Sequence, residues 1–326
     1  MTGSLATFTT TGLSRDFGGV GVFDVDLSID RGSVYGLVGK NGAGKTTLLS
    51  MLAGLIAPDA GSIGLTSATV AMCPDVPEFE PWLTAAEVVV LSAKLTGAAA
   101  ATRAAARGQA LEFLTLVGLE AAADRRVGGF SRGMVQRLSL AAALVVGPDL
   151  LILDEPTSGL DPEGRRRTLD LIQDLRREST VILSSHIIHD VETVCDGLGI
   201  MDRGRLILQG RTRDIVDAHV HPVWRVRLSH PEETRVLLSA LRTEKWVTAV
   251  EEEGSRSLRV EAETVHHGAV GIPRVVARES CALTGLETVG ADLESVLLSV
   301  SSGDAAAPLR ADGAEALGDN PSRRAT

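Results

Sequence analysis

The run Gly39-Lys40-Asn41-Gly42-Ala43-Gly44-Lys45-Thr46 restricts the possible folds of this chain more than any other segment. It fills the pattern GxxxxGK[ST], follows the aliphatic stretch Val34-Tyr35-Gly36-Leu37-Val38 and leads into Thr47-Leu48-Leu49-Ser50-Met51-Leu52. That order predicts a buried strand, a tight loop and a helix. Glycines are required because backbone N–H groups must turn inward around an anion, and a Cβ would block the approach. The helix that follows directs its N-terminal dipole and free N–H groups at the same point. Lys45 is expected to reach the β- and γ-phosphates of a nucleotide, and the Thr46 hydroxyl to reach Mg2+. By itself the loop says only that some nucleotide is bound, as in kinases, GTPases and motor proteins.

Downstream, Leu150-Leu151-Ile152-Leu153 runs straight into Asp154-Glu155. Two carboxylates thereby fall at the carboxyl end of a buried strand, where open α/β sheets bind ligands. Asp154 is expected to hold Mg2+ through a water, and Glu155 to polarise an attacking water. An isolated Asp-Glu pair more often opens a solvated loop; the phosphate loop in the same chain favours the catalytic reading. Further aliphatic runs at 181–184, before His186, and at 198–201 read as strands of the same mostly parallel sheet, with helices between them. The class is α/β.

At 326 residues, with 44% hydrophobic and 23% charged residues, the chain can hold one large and one smaller globular unit. Aromatic residues make up only 3%, which predicts an aliphatic core. The longest apolar candidate, 138–147, stops at Pro148-Asp149, well short of the ~18–20 residues a spanning helix needs. The N-terminal MTGSLATFTT lacks the basic patch and apolar run of a secretory signal, so a membrane role is expected to come through a partner. Cys73, Cys195 and Cys281 lie far apart without metal-ligand spacing, which argues against zinc and disulfides and fits a reducing cytosol. The net charge of −10 argues against nucleic acid as the main ligand.

Between the two nucleotide motifs stands Phe130-Ser131-Arg132-Gly133-Met134-Val135-Gln136-Arg137. It resembles the signature of ABC ATPases, in the form common among bacterial export ATPases. The order of phosphate loop, signature, aliphatic-Asp-Glu, Ser158-Gly159-Leu160-Asp161 and Ser184-Ser185-His186 is similar to the ABC family across roughly residues 10–215. On these motifs the chain is identified as resembling the ATP-binding subunit of an ABC transporter of the bacterial export type, similar to drug, lipid or peptide exporters.

The resemblance implies ATP and Mg2+ as ligands and ATP hydrolysis as the activity. Lys45, Glu155 and His186 match the catalytic positions, His186 as the contact to the γ-phosphate that also orients the water. Gly39 to Thr46, with Thr47, match the phosphate wrap; Thr46 and Asp154 match the positions beside the metal. Phe17, in Leu13-Ser14-Arg15-Asp16-Phe17-Gly18, matches the aromatic that stacks on adenine, although one phenylalanine could equally sit in a core. Asp161 matches a loop acid that communicates between two nucleotide sites. In the family, Ser131 and Gly133 of one subunit close over ATP held by another. The resemblance therefore implies a second ATPase subunit, identical or different, and a transmembrane permease subunit that holds the pair on the cytoplasmic face of the cell membrane.

Two positions depart from the family pattern. Asp75, in Cys73-Pro74-Asp75, stands where a glutamine that contacts Mg2+ and couples to the transporter is usual, and an acid, one methylene shorter and charged, is expected either to meet the ion through water or to slow hydrolysis. Arg132-Gly133-Met134 replaces Gly-Gly-Gln, a variation that points toward exporters. Ribosome-acting relatives carry two ATPase cores in one chain, and chromosome-organising ones need a long coiled coil; here one core is present and only about 85 residues separate Lys45 from Ser131. A degenerate, non-hydrolysing half is countered by Lys45, Glu155 and His186.

The expected organisation is an ATPase domain at 1–215 with a helical subdomain at about 77–147, since 84–116 is rich in Ala, Leu and Val with few turn residues. A small α+β accessory domain is expected at 216–300, where 224–228 and 257–261 alternate like half-exposed strands. Within it, Ala291-Asp292-Leu293-Glu294-Ser295-Val296-Leu297-Leu298 resembles the helix that ends such domains, and His266-His267 reads as a solvated turn. From Ser301 the composition predicts a disordered tail, 301–326.

Overall fold

The computed structural model describes residues 6–65, 69–97, 102–218 and 222–289. Ala291 to Leu298 and the stretch 301–326 lie outside them. Strands β1 (Ala6–Asp16) and β2 (Gly21–Asp30) precede β3 (Val34–Val38), the phosphate-loop segment and helix α1 (Lys45–Leu52). Strands β4 (Ala60–Leu65) and β5 (Val70–Cys73) are followed by three longer helices, α2 (Ala85–Leu95), α3 (Arg103–Leu116) and α4 (Arg132–Leu144). Then come β6 (Leu150–Leu153), α5 (Pro162–Leu175), β7 (Thr180–Ser185), α6 (Ile188–Val194), β8 (Gly197–Asp202), β9 (Arg205–Arg211) and α7 (Thr212–Ala218).

A six-stranded sheet of order β5-β6-β7-β3-β8-β9 forms the centre, parallel except for the β8–β9 pair. Its inner strands are buried on both faces, and their side chains sort with the two-residue period of a strand. Val34, Val38, Leu151, Leu153, Val181 and Leu183 join the cluster that includes residues of α4, α5 and α6. Tyr35, Leu37, Leu150, Ile152 and Ile182 face the other way, into a cluster with α1 and the strands β1 and β2. This second layer is a separate antiparallel sheet, order β2-β1-β4, that the aliphatic runs of the sequence did not indicate.

Helix α2 starts at a capping box: Thr84 accepts from the N–H of Glu87, whose carboxylate accepts in return from the Thr84 N–H. It packs on α3 and α4. Among the described residues no helix is long and apolar enough to cross a membrane.

The chain continues through β10 (Val223–Leu228), α8 (Pro231–Leu241), β11 (Val247–Glu252), β12 (Ser257–Ala262), α9 (Val265–Arg278) and β13 (Leu283–Thr288). These strands form a four-stranded antiparallel sheet of order β11-β12-β10-β13. The β-α-β-β-α-β sequence in that order is the ferredoxin-like arrangement. It has its own core of Trp224, Val226, Leu237, Leu258, Val260, Ile272 and neighbours. The turn expected at His266-His267 is instead the first turn of α9, capped by Thr264, which accepts from the His267 N–H at 3.1 Å. Tertiary packing overrides the local breakers Gly268, Gly271 and Pro273.

Those glycines are where α9 meets the tryptophans. A Cβ on Gly268 would lie 1.9 Å from Trp224 Nε1, and one on Gly271 would lie 2.5 Å from Trp246. Gly268→Ala is therefore expected to cost about 1–3 kcal/mol by overpacking, read as a lower urea midpoint by tryptophan fluorescence. An unchanged midpoint would show that the helix yields without cost.

Candidate nucleotide site

Register brings the candidate residues to one edge. Val38 pairs with Ser185, Leu183 with Leu153, and Leu153 with Cys73. Gly39, His186, Asp154-Glu155 and Pro74-Asp75 therefore leave four adjacent parallel strands at their carboxyl ends, the ligand-binding edge of such sheets.

The phosphate loop needs its glycines. Gly42 and Gly44 have φ of +81° and +101°, in the left-handed region. A Cβ on Gly39 would approach the Met201 carbonyl oxygen to 2.4 Å. Lys45, the first residue of α1, is 7% exposed. Its Nζ donates to the Gly39 carbonyl at 2.7 Å and lies 3.8 Å from Glu155 Oε1. Thr46 is exposed and Thr47 half-buried in the same first turn, while Lys40 and Asn41 are exposed on the loop and Ala43 is buried.

Asp154 is buried, with its N–H donating to Cys73 in β5 at 2.8 Å. Ser184 in β7 joins the two acids. Its hydroxyl donates to Asp154 Oδ1 at 2.5 Å and accepts from the Glu155 N–H at 2.9 Å. Glu155 itself has φ +50°. A non-glycine residue in that region carries strain of about 1–2 kcal/mol, and the Ser184 bond helps to hold it. Its carboxylate points Oε2 at His186 Nδ1, 2.7 Å away, and Oε1 toward Lys45. In the sequence Ser184 stands out only as the lead to His186; its bridging role depends on the pairing of two strands, which joins residues 30 positions apart.

A second group was missed. Asp190, 1% exposed, accepts from Thr157 Oγ1 at 2.8 Å and from Arg165 Nε at 2.8 Å. It ties α6, and hence the His186 turn, to the segment after β6 and to α5. His189 beside it is exposed and 4.0 Å from Glu192. Asp190→Ala is expected to cost about 3 kcal/mol, because it strips the buried partner from Arg165 and Thr157. A thermal midpoint within a degree of the parent would overturn this.

The remaining candidates sit apart from that contact chain. Ser131 caps α4, accepting from the Met134 N–H at 3.3 Å and keeping its own hydrogen to donate. Gly133 packs on Leu160, at 3.0 Å from the place of a Cβ. Asp161 caps α5, accepting from Gly164 at 3.2 Å. Phe17 is 52% exposed with the Arg15 guanidinium 5.0 Å from its ring centroid, so it is not a core phenylalanine. Asp75 Oδ1 faces Arg132 Nη2 at 3.5 Å. Next to it, burial pushes the Cys73 thiol up to about 12, against a smaller downward pull from its hydrogen bond with Ser139, so it stays protonated.

Among the described residues no group of three or more His, Cys, Asp or Glu could hold a metal ion. Asp75, Asp154 and Glu155 thus form no such cluster. The Asp154 carboxylate, whose Oδ1 accepts from Ser184, and the exposed Thr46 hydroxyl offer hard oxygen donors, the kind that Mg2+ takes.

A sequence profile described as ABC transporter matches residues 22–158. The chain is 34% identical over 285 residues to the "Uncharacterized ABC transporter ATP-binding protein YxlF" of Bacillus subtilis, covering 86% of this chain and 94% of that one. It is 36% identical over 222 residues to the "Nod factor export ATP-binding protein I" of Bradyrhizobium diazoefficiens, covering 64% and 72%. A solved "Structure of ATP binding subunit of ABC transporter" is similar with TM-score 0.58 and 28% identity over 64% of this chain and 91% of that one. The chain belongs to the ABC transporter family, as one of its ATP-binding, ATP-hydrolysing proteins.

Proposed function

We propose that this ATPase powers export across the cell membrane through a separate transmembrane permease subunit, working as a dimer on the cytoplasmic face. The observation that carries the reading is the contact chain from Lys45 through Glu155 to His186, set on the phosphate-loop edge of the sheet. The likeness to a Nod factor export protein and the exporter form of the Ser131-Arg132-Gly133-Met134 segment support the direction.

In this reading the loop N–H groups of residues 39–46 cradle the phosphates and Lys45 neutralises the β- and γ-oxygens. Thr46 and Asp154 would hold Mg2+, which would supply positive charge to offset that of the phosphates. Glu155 accepts a hydrogen bond from the attacking water, and His186, braced on Glu155, orients it toward the γ-phosphorus. Phe17 stacks on the adenine ring. Ser131, through its remaining hydroxyl hydrogen, and the N–H groups that open α4 at Gly133 donate to the γ-phosphate held by the other subunit. Asp161, at the start of α5, lies where the two subunits communicate.

The test is transport. Inverted vesicles holding the chain and its membrane partner should accumulate the exported compound only with ATP and Mg2+. Accumulation that continues with ATP withheld would remove this protein as the motor.

A further inference from the structure

We infer that Asp75 and Arg132 act as one charge-paired positioning unit, a latch that sets the turn bearing Ser131 and Gly133 against the loop bearing Ser158 and Asp161. One residue from each departure, Asp75 from the first and Arg132 from the second, meet at this point as opposite charges. Arg132 is the first residue of α4, where the helix dipole disfavours a cation. Asp75, reaching over from the loop after β5, supplies the missing negative charge at 3.5 Å. The same Arg132 Nη2 donates to Ser158 Oγ at 3.1 Å. The stem of Arg132 lies on Gly159, which has φ +71° and where a Cβ would fall 2.9 Å from Arg132 Cδ. Three segments are thus gathered by one guanidinium.

A glutamine at 75 would leave Arg132 without its counter-charge, and a glycine at 132 would leave Asp75 without its cation and Gly159 uncovered. The two side chains are 59% and 43% exposed, so the pair adds little to stability and is open to salt. Its effect is on geometry: it fixes where Ser131 and Gly133 point when they meet a nucleotide. The inference rests on the proposed sandwich of ATP between two subunits.

The experiment is a double-mutant cycle on the full chain, with ATP turnover measured across a range of MgATP. Asp75→Gln and Arg132→Gly are each expected to lower kcat about 3–10-fold with unchanged thermal midpoint, and the double variant to return to within about two-fold of the parent. Raising salt from about 0.05 to 0.5 M should slow the parent more than the double variant. Losses that multiply in the double variant, or single variants with parental kcat, would overturn the latch. Lys45→Ala serves as the separate control: full turnover in that variant would defeat the parent reading, whereas an inactive control with an additive cycle would defeat the latch alone.

Discussion

Glu155→Gln is expected to slow ATP hydrolysis about 10²–10⁴-fold, or about 3–5 kcal/mol in the barrier, while leaving ATP binding intact. The substitution preserves size and leaves the 155 N–H to donate to Ser184 as before. It removes the charge that faces His186 Nδ1 at 2.7 Å and Lys45 Nζ at 3.8 Å. In the proposed mechanism that charge polarises the water, so the chemical step fails and the bound nucleotide persists. Uncleaved ATP should then hold two subunits together, and size-exclusion chromatography should show a dimer that forms only with ATP. A monomer under saturating ATP would defeat the sandwich. Parental turnover would move the base to another residue.

The strained backbone at Glu155 gives this prediction a physical rationale. A residue at φ +50° would relax if nothing held it. Ser184 and the buried Asp154 hold it from one side, and His186 and Lys45 engage its carboxylate. Strain of that kind persists only where the surroundings over-determine the conformation, and here they aim a carboxylate at the mouth of the phosphate loop.

How much of this could be read beforehand differs by segment. The inner strands of the central sheet were legible because burial on both faces leaves continuous aliphatic runs, as in Leu150-Leu151-Ile152-Leu153. The phosphate loop and Asp154-Glu155 were legible because their spacing is local. The antiparallel layer was harder: β1 is rich in threonine and interrupted by Gly12, which blurs its alternation. The bridging of Ser184, the Asp190 network and the Arg132–Asp75 contact depend on residues 25–57 positions apart meeting through the fold. No local pattern marks them.

Lys45→Ala is expected to differ from Glu155→Gln in kind as well as size. Alanine suits the start of α1, so the helix should survive. The ammonium it removes is almost buried, gripped by the Gly39 carbonyl at 2.7 Å and near the largely buried Glu155 carboxylate. A charge in so dry a setting acts more strongly on developing phosphate charge than one in water. Loss of one such donor typically costs about 10²–10³-fold in rate. Ground-state ATP should also suffer, because Lys45 is proposed to touch the phosphates before and during transfer, whereas Glu155 is proposed to touch the water. Titration with a fluorescent ATP analogue should therefore show a raised Kd for Lys45→Ala and a parental Kd for Glu155→Gln. Lys45→Met, which keeps the apolar stem, should match the alanine variant if charge is the cause. A methionine variant with parental kcat/KM would show that the stem alone carries the function and that the ammonium does not reach the phosphates.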